Sequence, residues 1–153
     1  TGLQHEPIAT VYAHVVSGES SAKKLPQSML ALHCSADAPA QFVFDRGQLN
    51  PHDASAQGVL AFVVSASEGE RDDLQARVLQ QAAQQLGLSH LQALQTVVDK
   101  RAAYACRPGT HKPTHAITDG VWAAGDYTEG PYPSTLEAAT RSGVAAALAA
   151  TSV

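Results

Sequence analysis

Apolar residues along this chain fall into short runs separated by polar turns, a pattern typical of a sheet with few helices. Alternating or continuous apolar positions predict strands over residues 7–16, 29–34, 41–45, 58–66 and 96–106. The fourth of these runs is apolar on both faces, which predicts a strand in the middle of the sheet. The short spacing of the second and third runs favours successive antiparallel strands.

Two further segments have the pattern of helices. Between residues 70 and 87, apolar positions recur every fourth residue, acidic side chains stand at the start, and Gly87 follows the end. Residues 136–150 are rich in alanine and contain no proline. We interpret residues 89–94 as one more helical turn. The fold class expected is therefore α+β, with a mixed and mostly antiparallel sheet and covering helices.

Composition narrows the classes of function. Only 16% of the 153 residues are charged, against about 25% in typical domains, and the net charge is −4. There is thus no basic surface for nucleic acid, and no apolar run approaches the ~18 residues of a membrane span. Cys34 and Cys106 lack metal-ligand spacing, and Pro113 prevents His111 and His115 from pairing on a helix. We expect a cytoplasmic protein with no metal and no nucleic-acid partner.

A strand, a turn and a helix near the C-terminal end carry the candidate chemistry. Val121–Ala124 is a short apolar run, Asp126 follows it, and Ser134 and Glu137 then have the spacing of a capping box. A helix start leaves backbone N–H groups unpaired, and its dipole favours an anion or a polarised carbonyl. Asp126 can accept hydrogen bonds from the hydroxyls of a ribityl chain. From geometry alone, the alternatives are ordinary helix capping and the edge of a cofactor site.

The residues of this segment resemble the C-terminal flavin motif of the FAD-dependent amine oxidase and carotenoid desaturase superfamily. That motif reads roughly L-A-G-D-x-T, a gap, and then P-A-T-x-E-G-A-x-x-S-G. The matching positions are Ala124, Gly125, Asp126, Thr128, Pro133, Thr135, Glu137, Ala139, Ser142 and Gly143. Ser134 replaces the usual alanine, and Ala138 adds a methyl group where the family often has glycine.

Three other segments are similar to one branch of this superfamily, the squalene-associated desaturases, which are hydroxysqualene dehydroxylases of bacterial hopanoid synthesis. These segments are Glu6–Tyr12, Phe42–Leu49 and Lys100–Gly109. The resemblance implies an FAD-dependent oxidoreductase that replaces the allylic hydroxyl of hydroxysqualene with hydrogen, giving squalene. A phytoene-desaturase-like or amine-oxidase-like FAD dehydrogenase is one alternative. A non-catalytic interaction module is the alternative of another class.

The resemblance also implies roles for individual residues. Gly125 would permit close approach of FAD, and Asp126 would accept hydrogen bonds from its ribityl chain. The backbone N–H groups of Thr135, Leu136 and Glu137 would face the pyrimidine edge of the flavin. The resemblance assigns no catalytic residue in this chain.

Two domains follow from the same resemblance, and we expect them to form one compact unit in this fragment. Residues 1–110 would be like the substrate-binding part, where a curved sheet faces an apolar cavity, and residues 111–153 would belong to a Rossmann-like FAD fold. The candidate cavity residues are Met29, Leu32, Phe42, Phe44 and Arg46. The alternative for the apolar four is packing in the domain's own core, and for Arg46 it is a surface pair with the adjacent Asp45.

The first part of the FAD fold is expected elsewhere in the polypeptide. The chain starts at Thr1, and its eleven glycines never have the G-x-G-x-x-G spacing that binds the FAD pyrophosphate. We therefore expect a C-terminal fragment, inactive by itself, whose partner is the N-terminal FAD-binding part of the same chain. Because squalene is insoluble in water, we also expect peripheral contact with the inner membrane.

Overall fold

The structure, a computed structural model that describes residues 2–16 and 25–152, divides into two compact units. The first unit is Glu6–Ala102, and the second joins Thr1–His5 to Ala103–Val153. These limits differ from those of the predicted domains, residues 1–110 and 111–153. The chain has two compact units where one was expected, and the predicted division into a substrate part and an FAD part stays a prediction.

A five-stranded sheet runs through the first unit in the order β2-β3-β4-β1-β5. Its strands are β1 (His5–Val15), β2 (Met29–Ala31), β3 (Phe42–Asp45), β4 (Val59–Ser65) and β5 (Leu91–Tyr104). The pairs β2–β3, β3–β4 and β4–β1 are antiparallel. The strand predicted to be central is β4, and it does lie third of five. The expected α+β class with a mostly antiparallel sheet is confirmed.

The helices of the first unit begin and end at recognisable signals. The short helix α1 (Arg46–Leu49) and a 3-10 turn (Ala54–Ala56) precede β4, and α2 (Arg71–Leu86) follows it. Gly87 ends α2 in the left-handed conformation with a φ of 67°, as expected for a glycine in this position. The helical turn predicted over residues 89–94 is wrong. Those residues enter β5 instead, and the His90 carbonyl accepts a hydrogen bond from the Val16 amide at 3.1 Å.

The core lies between one face of the sheet and α2. Val11 of β1, Val43 of β3 and Phe62 of β4 are 0% exposed, and α2 places Val78 in the same cluster. Burial of each such side chain contributes about 1.5–3 kcal/mol relative to exposure. Gln81 of α2 is also buried, at 1% exposure; it lies on the same helix face as Leu74 and Val78, although its polar side chain did not suggest burial.

The second unit buries far fewer apolar side chains. It contains an antiparallel pair, β6 (Ala116–Thr118) and β7 (Val121–Trp122), and the helix α3 (Leu136–Thr151). The helix predicted over residues 136–150 is confirmed, whereas the predicted strand 121–124 is shorter. Ser142 is the one buried residue of α3. Its larger apolar side chains, Leu136, Val144 and Leu148, are 88%, 56% and 63% exposed.

Candidate functional site

The start of α3 is capped one residue later than the sequence predicted. Thr135 is the N-cap, and its Oγ1 accepts a hydrogen bond from the Ala138 amide at 3.2 Å. The predicted capping box of Ser134 and Glu137 is therefore wrong, because Ser134 has a φ of +59° and an N-cap needs extended backbone. Glu137 instead pairs with Arg141 at 3.2 Å on the helix surface, where both side chains are more than half exposed. Such a pair contributes little to stability.

Three backbone amides at this helix start have no acceptor among the described residues. They belong to Thr135, Leu136 and Glu137, the residues whose N–H groups the resemblance assigned to a flavin edge. The next amide, that of Ala138, is the first to be satisfied, by the cap. Thr135, Leu136 and Glu137 are all exposed, and Leu136 is 88% exposed, so this end of the helix faces solvent among the described residues. The helix dipole adds a partial positive charge at the same point.

Asp126 lies on the approach to this helix start. Its backbone carbonyl accepts from the Ser134 amide at 3.5 Å, so the two segments meet there. Its side chain is half-buried, yet the carboxylate accepts no hydrogen bond and forms no ion pair with any described residue. A partly exposed carboxylate without a protein partner is free to accept hydrogen bonds from a ligand.

Gly125 has a reason for being glycine that lies within the chain itself. Its φ is +155°, and a Cβ atom at this position would lie 2.3 Å from Cε1 of the Tyr127 ring. Its amide donates to Ser142 Oγ at 2.8 Å, which fixes the β7 side of the turn to the middle of α3. Its carbonyl also accepts from Thr128 Oγ1 at 2.9 Å. The glycine therefore permits close approach of Tyr127.

Tyr104 is a buried group near Asp126 that the sequence reading did not single out. It is 5% exposed, and its hydroxyl has no hydrogen-bond partner in the described part of the chain. Burial raises the pKa of Tyr104 above its usual value, and the neighbouring Cys106 thiol and Asp126 carboxylate raise it further. Two more buried polar atoms of this unit, His115 Nδ1 and Ser134 Oγ, are also unpartnered among the described residues. Ser134 stood out in the sequence only as a candidate helix cap and His115 only as a candidate metal ligand, and no pattern predicted that their polar atoms would be buried.

A cavity of about 330 Å³ lies along the first half of α3. One wall is the helix face that includes Ala138, Arg141 and Ser142, and the other includes the loop from Thr128 to Pro131. Ala138, the residue with the extra methyl group, therefore lines this cavity. Its amide donates to Thr135 Oγ1 and is not one of the three open amides.

The predicted substrate-cavity residues divide into two groups in the first unit. Strand register aligns Met29, Phe44, Ala61 and Tyr12 in one row, and Ala31, Phe42, Val63 and Thr10 in the next. We call these two rows the outer face, because they alternate with the core residues that face α2. Met29 and Phe42 are 49% and 39% exposed there. Leu32 instead packs against the core cluster, in line with the alternative reading for that residue.

Arg46 lies at the end of β3, but not in a pair with Asp45. Asp45 is 5% exposed and caps α1, accepting from the Gln48 amide at 3.0 Å and from Gln48 Nε2 at 2.8 Å. The predicted surface pair is therefore wrong, because the carboxylate is turned inward to a capping role. Arg46 is exposed and lines a small cleft with Tyr12 and Asp53.

Comparison with known proteins shows no family for this chain. No protein-family model matches it, and no curated protein is significantly similar to it. Across residues 2–16 and 25–152, no helix has both the length and the hydropathy needed to cross a membrane. Within the same residues, no three His, Cys, Asp or Glu side chains gather as metal ligands.

Proposed function

We propose that this chain is the C-terminal part of an FAD-dependent oxidoreductase that acts on a long isoprenoid. The preferred reaction is the reductive dehydroxylation of hydroxysqualene to squalene in hopanoid synthesis. The proposal rests on two features of the same turn. The backbone amides of Thr135, Leu136 and Glu137 have no acceptor among the described residues, and the Asp126 carboxylate has no donor among them. Ordinary helix capping accounts for Thr135 Oγ1 but leaves these groups unused.

The residues present fit one end of a flavin. Three N–H donors and a helix dipole suit the carbonyl oxygens and ring nitrogen of a pyrimidine edge, which become more negative on reduction. Asp126 suits the hydroxyls of a ribityl chain, since a carboxylate only accepts hydrogen bonds. In this proposal β7, the turn and α3 belong to a Rossmann-like FAD fold. An N-terminal FAD-binding part of the same polypeptide holds the rest of the cofactor.

The uncovered apolar side chains of α3 support such a partner. Leu136, Val144 and Leu148 are each more than half exposed. A second part of the polypeptide that packed on this helix would remove them from water. That contact would stabilise the assembly by about 25 cal/mol for each Å² of apolar surface buried.

The outer face is the proposed surface for the isoprenoid. Met29, Phe42 and Phe44 offer apolar and aromatic contact to a hydrocarbon chain without a charged group in the same two rows. A reduced flavin, when bound, would supply the hydride that replaces the substrate hydroxyl. The chain's own residues would bind the substrate and exclude water. Because the substrate partitions into lipid, we place the enzyme in the cytoplasm, in peripheral contact with the inner membrane.

The test is the flavin content of the longer polypeptide that includes the N-terminal FAD-binding part. We expect Asp126→Ala to lower the FAD bound per polypeptide, measured by flavin absorbance, with little change in thermal unfolding. Asp119→Ala is the matched control, since Asp119 is exposed in the turn between β6 and β7. The wild-type protein should also convert hydroxysqualene to squalene when FAD is reduced.

Two outcomes would contradict the proposal. One is equal FAD content in Asp126→Ala and wild-type protein. The other is a reading frame without any upstream dinucleotide-binding unit. If the flavin-loaded protein dehydrogenates phytoene but does not act on hydroxysqualene, the proposed cofactor stands and the proposed substrate is wrong.

A further inference from the structure

Two buried hydroxyl groups of the second unit have no use in its own packing. Tyr104 is 5% exposed, and its hydroxyl has no hydrogen-bond partner among the described residues. The Oγ of the half-buried Ser134 is likewise buried and unpartnered within that part of the chain. A buried polar atom without a partner weakens a fold, and the large majority of such atoms in native proteins are paired. Two of them in one small unit need a reason other than stability.

Both hydroxyl groups lie beside Asp126. The Asp126 carboxylate is close enough to the Tyr104 hydroxyl to raise its pKa, after burial as the main cause, while the Ser134 backbone acts on the same group in the opposite direction. The Ser134 amide also donates to the Asp126 carbonyl at 3.5 Å. Ser134 directly precedes the three open amides of α3. We call Tyr104, Asp126 and Ser134 the hydroxyl cluster.

The turn that carries Ser134 has an unfavourable backbone. Tyr132 and Ser134 both have a φ of +59°, which residues other than glycine rarely adopt. Such conformations cost stability and are concentrated at ligand sites. Ser134 also stands where the superfamily motif usually has alanine, so its hydroxyl is not part of that motif. The helix cap does not explain this hydroxyl, because Thr135 is the cap.

The chemistry of the hydroxyl cluster selects a neutral ligand with several hydroxyl groups. The Asp126 carboxylate only accepts hydrogen bonds, whereas the phenol and the serine hydroxyl can each donate or accept. An anion would be repelled by Asp126, and a cation by the positive end of the α3 dipole. A ligand hydroxyl can donate to Asp126 and accept from Tyr104, and its neighbour along a polyol can bond to Ser134. Hydrogen bonds to the charged carboxylate are the stronger ones.

We propose that Tyr104 and Ser134 bind the same polyhydroxyl chain whose hydroxyls donate to Asp126. The inference rests on the proposed function, in which that chain is the ribityl chain of FAD, and it adds two binding residues that lie outside the superfamily motif. Their hydroxyls lack partners in the ligand-free chain and gain them in the complex. They therefore weaken the fold but strengthen binding, whereas a hydroxyl with a purely structural role would stabilise the fold.

The test uses the longer polypeptide, freed of FAD, and compares riboflavin with lumiflavin, which has a methyl group in place of the ribityl chain. Flavin fluorescence measures both affinities. The wild-type protein should bind riboflavin at least about tenfold more tightly. Tyr104→Phe and Ser134→Ala should each lower that preference about fivefold, with lumiflavin affinity unchanged and the melting temperature of the flavin-free protein equal or higher. Tyr132→Phe is the control, because it removes the hydroxyl of a tyrosine that is 54% exposed in the same turn. It should keep the full preference.

The outcomes separate this inference from the proposed function. If either variant keeps the full preference, or loses it together with thermal stability, that residue is removed from the site. If Asp126→Ala still lowers the preference in that case, the proposed function stands. If the wild-type protein binds the two flavins equally, both the hydroxyl cluster and the role of Asp126 are lost. If it binds neither flavin, the proposed function fails with them.

Discussion

Replacing Gln81 by methionine should destabilise the protein far more than the same change at Gln84. Gln81 is 1% exposed, and its Oε1 accepts from the Ala40 amide at 2.9 Å. Its Nε2 donates to the Ala40 carbonyl at 2.9 Å and to the His33 carbonyl at 3.1 Å. The His33 carbonyl keeps a second donor, Gln85 Nε2, at 2.8 Å. Methionine fills a similar volume, so the change removes chiefly the two partners of Ala40.

The size of the effect follows from the burial of Ala40, which is 0% exposed. A buried backbone group left without a partner costs about 1–3 kcal/mol, so two such groups cost about 2–6 kcal/mol. The apolar methionine offsets part of this, and we expect a net loss of about 3 kcal/mol. For a domain of this size that corresponds to a melting temperature lower by about 6–12 °C.

Urea unfolding followed by circular dichroism measures the loss, and hydrogen exchange at the Ala40 amide locates it. Gln84 is an exposed residue of the same helix with no hydrogen bond to another described residue outside the helix backbone. Gln84→Met should therefore change stability by no more than about 0.5 kcal/mol. The reasoning fails if the two variants unfold alike, or if the Ala40 amide of Gln81→Met exchanges as slowly as in the wild-type protein.

Two further predictions concern the second unit. Thr135→Ala should lower its stability by about 1 kcal/mol because it removes the cap on the Ala138 amide. Ser134→Ala removes a buried hydroxyl without a partner among the described residues, so it should not lower stability. Thermal unfolding by circular dichroism decides, and the opposite order would restore the predicted capping box. Burial raises the pKa of Tyr104, so the folded protein favours the neutral phenol. The stability that this preference contributes is complete below the usual tyrosine pKa of about 10 and is lost as pH rises through the raised value. Urea unfolding at alkaline pH should therefore show a smaller loss in Tyr104→Phe, and equal pH slopes would refute this.

Elements with a long, periodic pattern could be predicted from the sequence. Features that depend on a single residue, such as the N-cap of α3, could not. Apolar spacing located α2 and the central strand β4, because burial on one or both faces fixes that spacing. Serine and threonine are both good N-caps, so Ser134 and Thr135 cannot be separated from their letters alone. The backbone of Ser134, at a φ of +59°, is set by the turn before it. Alternation likewise predicts that Phe42 and Phe44 lie on one face of the sheet, but it does not predict which face α2 covers.

Polar residues in the interior were harder still to predict. Gln81 lies seven residues after Leu74 and three after Val78, so it shares their helix face, but its polar side chain suggested contact with solvent. Its burial is possible because it supplies both hydrogen-bond partners of the Ala40 backbone. The burial of Asp45 has a similar cause. Its charge suggested a surface position, but its carboxylate caps the start of α1 and accepts from the Gln48 amide. In both cases the position of the side chain depends on a backbone group that needs a partner: the amide and carbonyl of Ala40 for Gln81, and the Gln48 amide for Asp45. Neither group is visible in the local sequence pattern.

The flavin-like motif divides into residues that the chain's own packing explains and residues that it does not. Thr128 and Ser142 both bond to Gly125, and Thr135 caps the helix, so these positions would be favoured in any protein with this turn. Packing gives no role to the Asp126 carboxylate or to the amides from Thr135 to Glu137. Open amides occur at the start of any exposed helix, so the Asp126 carboxylate is the group of the motif that packing leaves without an explanation. The case for a ligand therefore depends on these groups, which is why Asp126→Ala tests function while Thr135→Ala tests the fold.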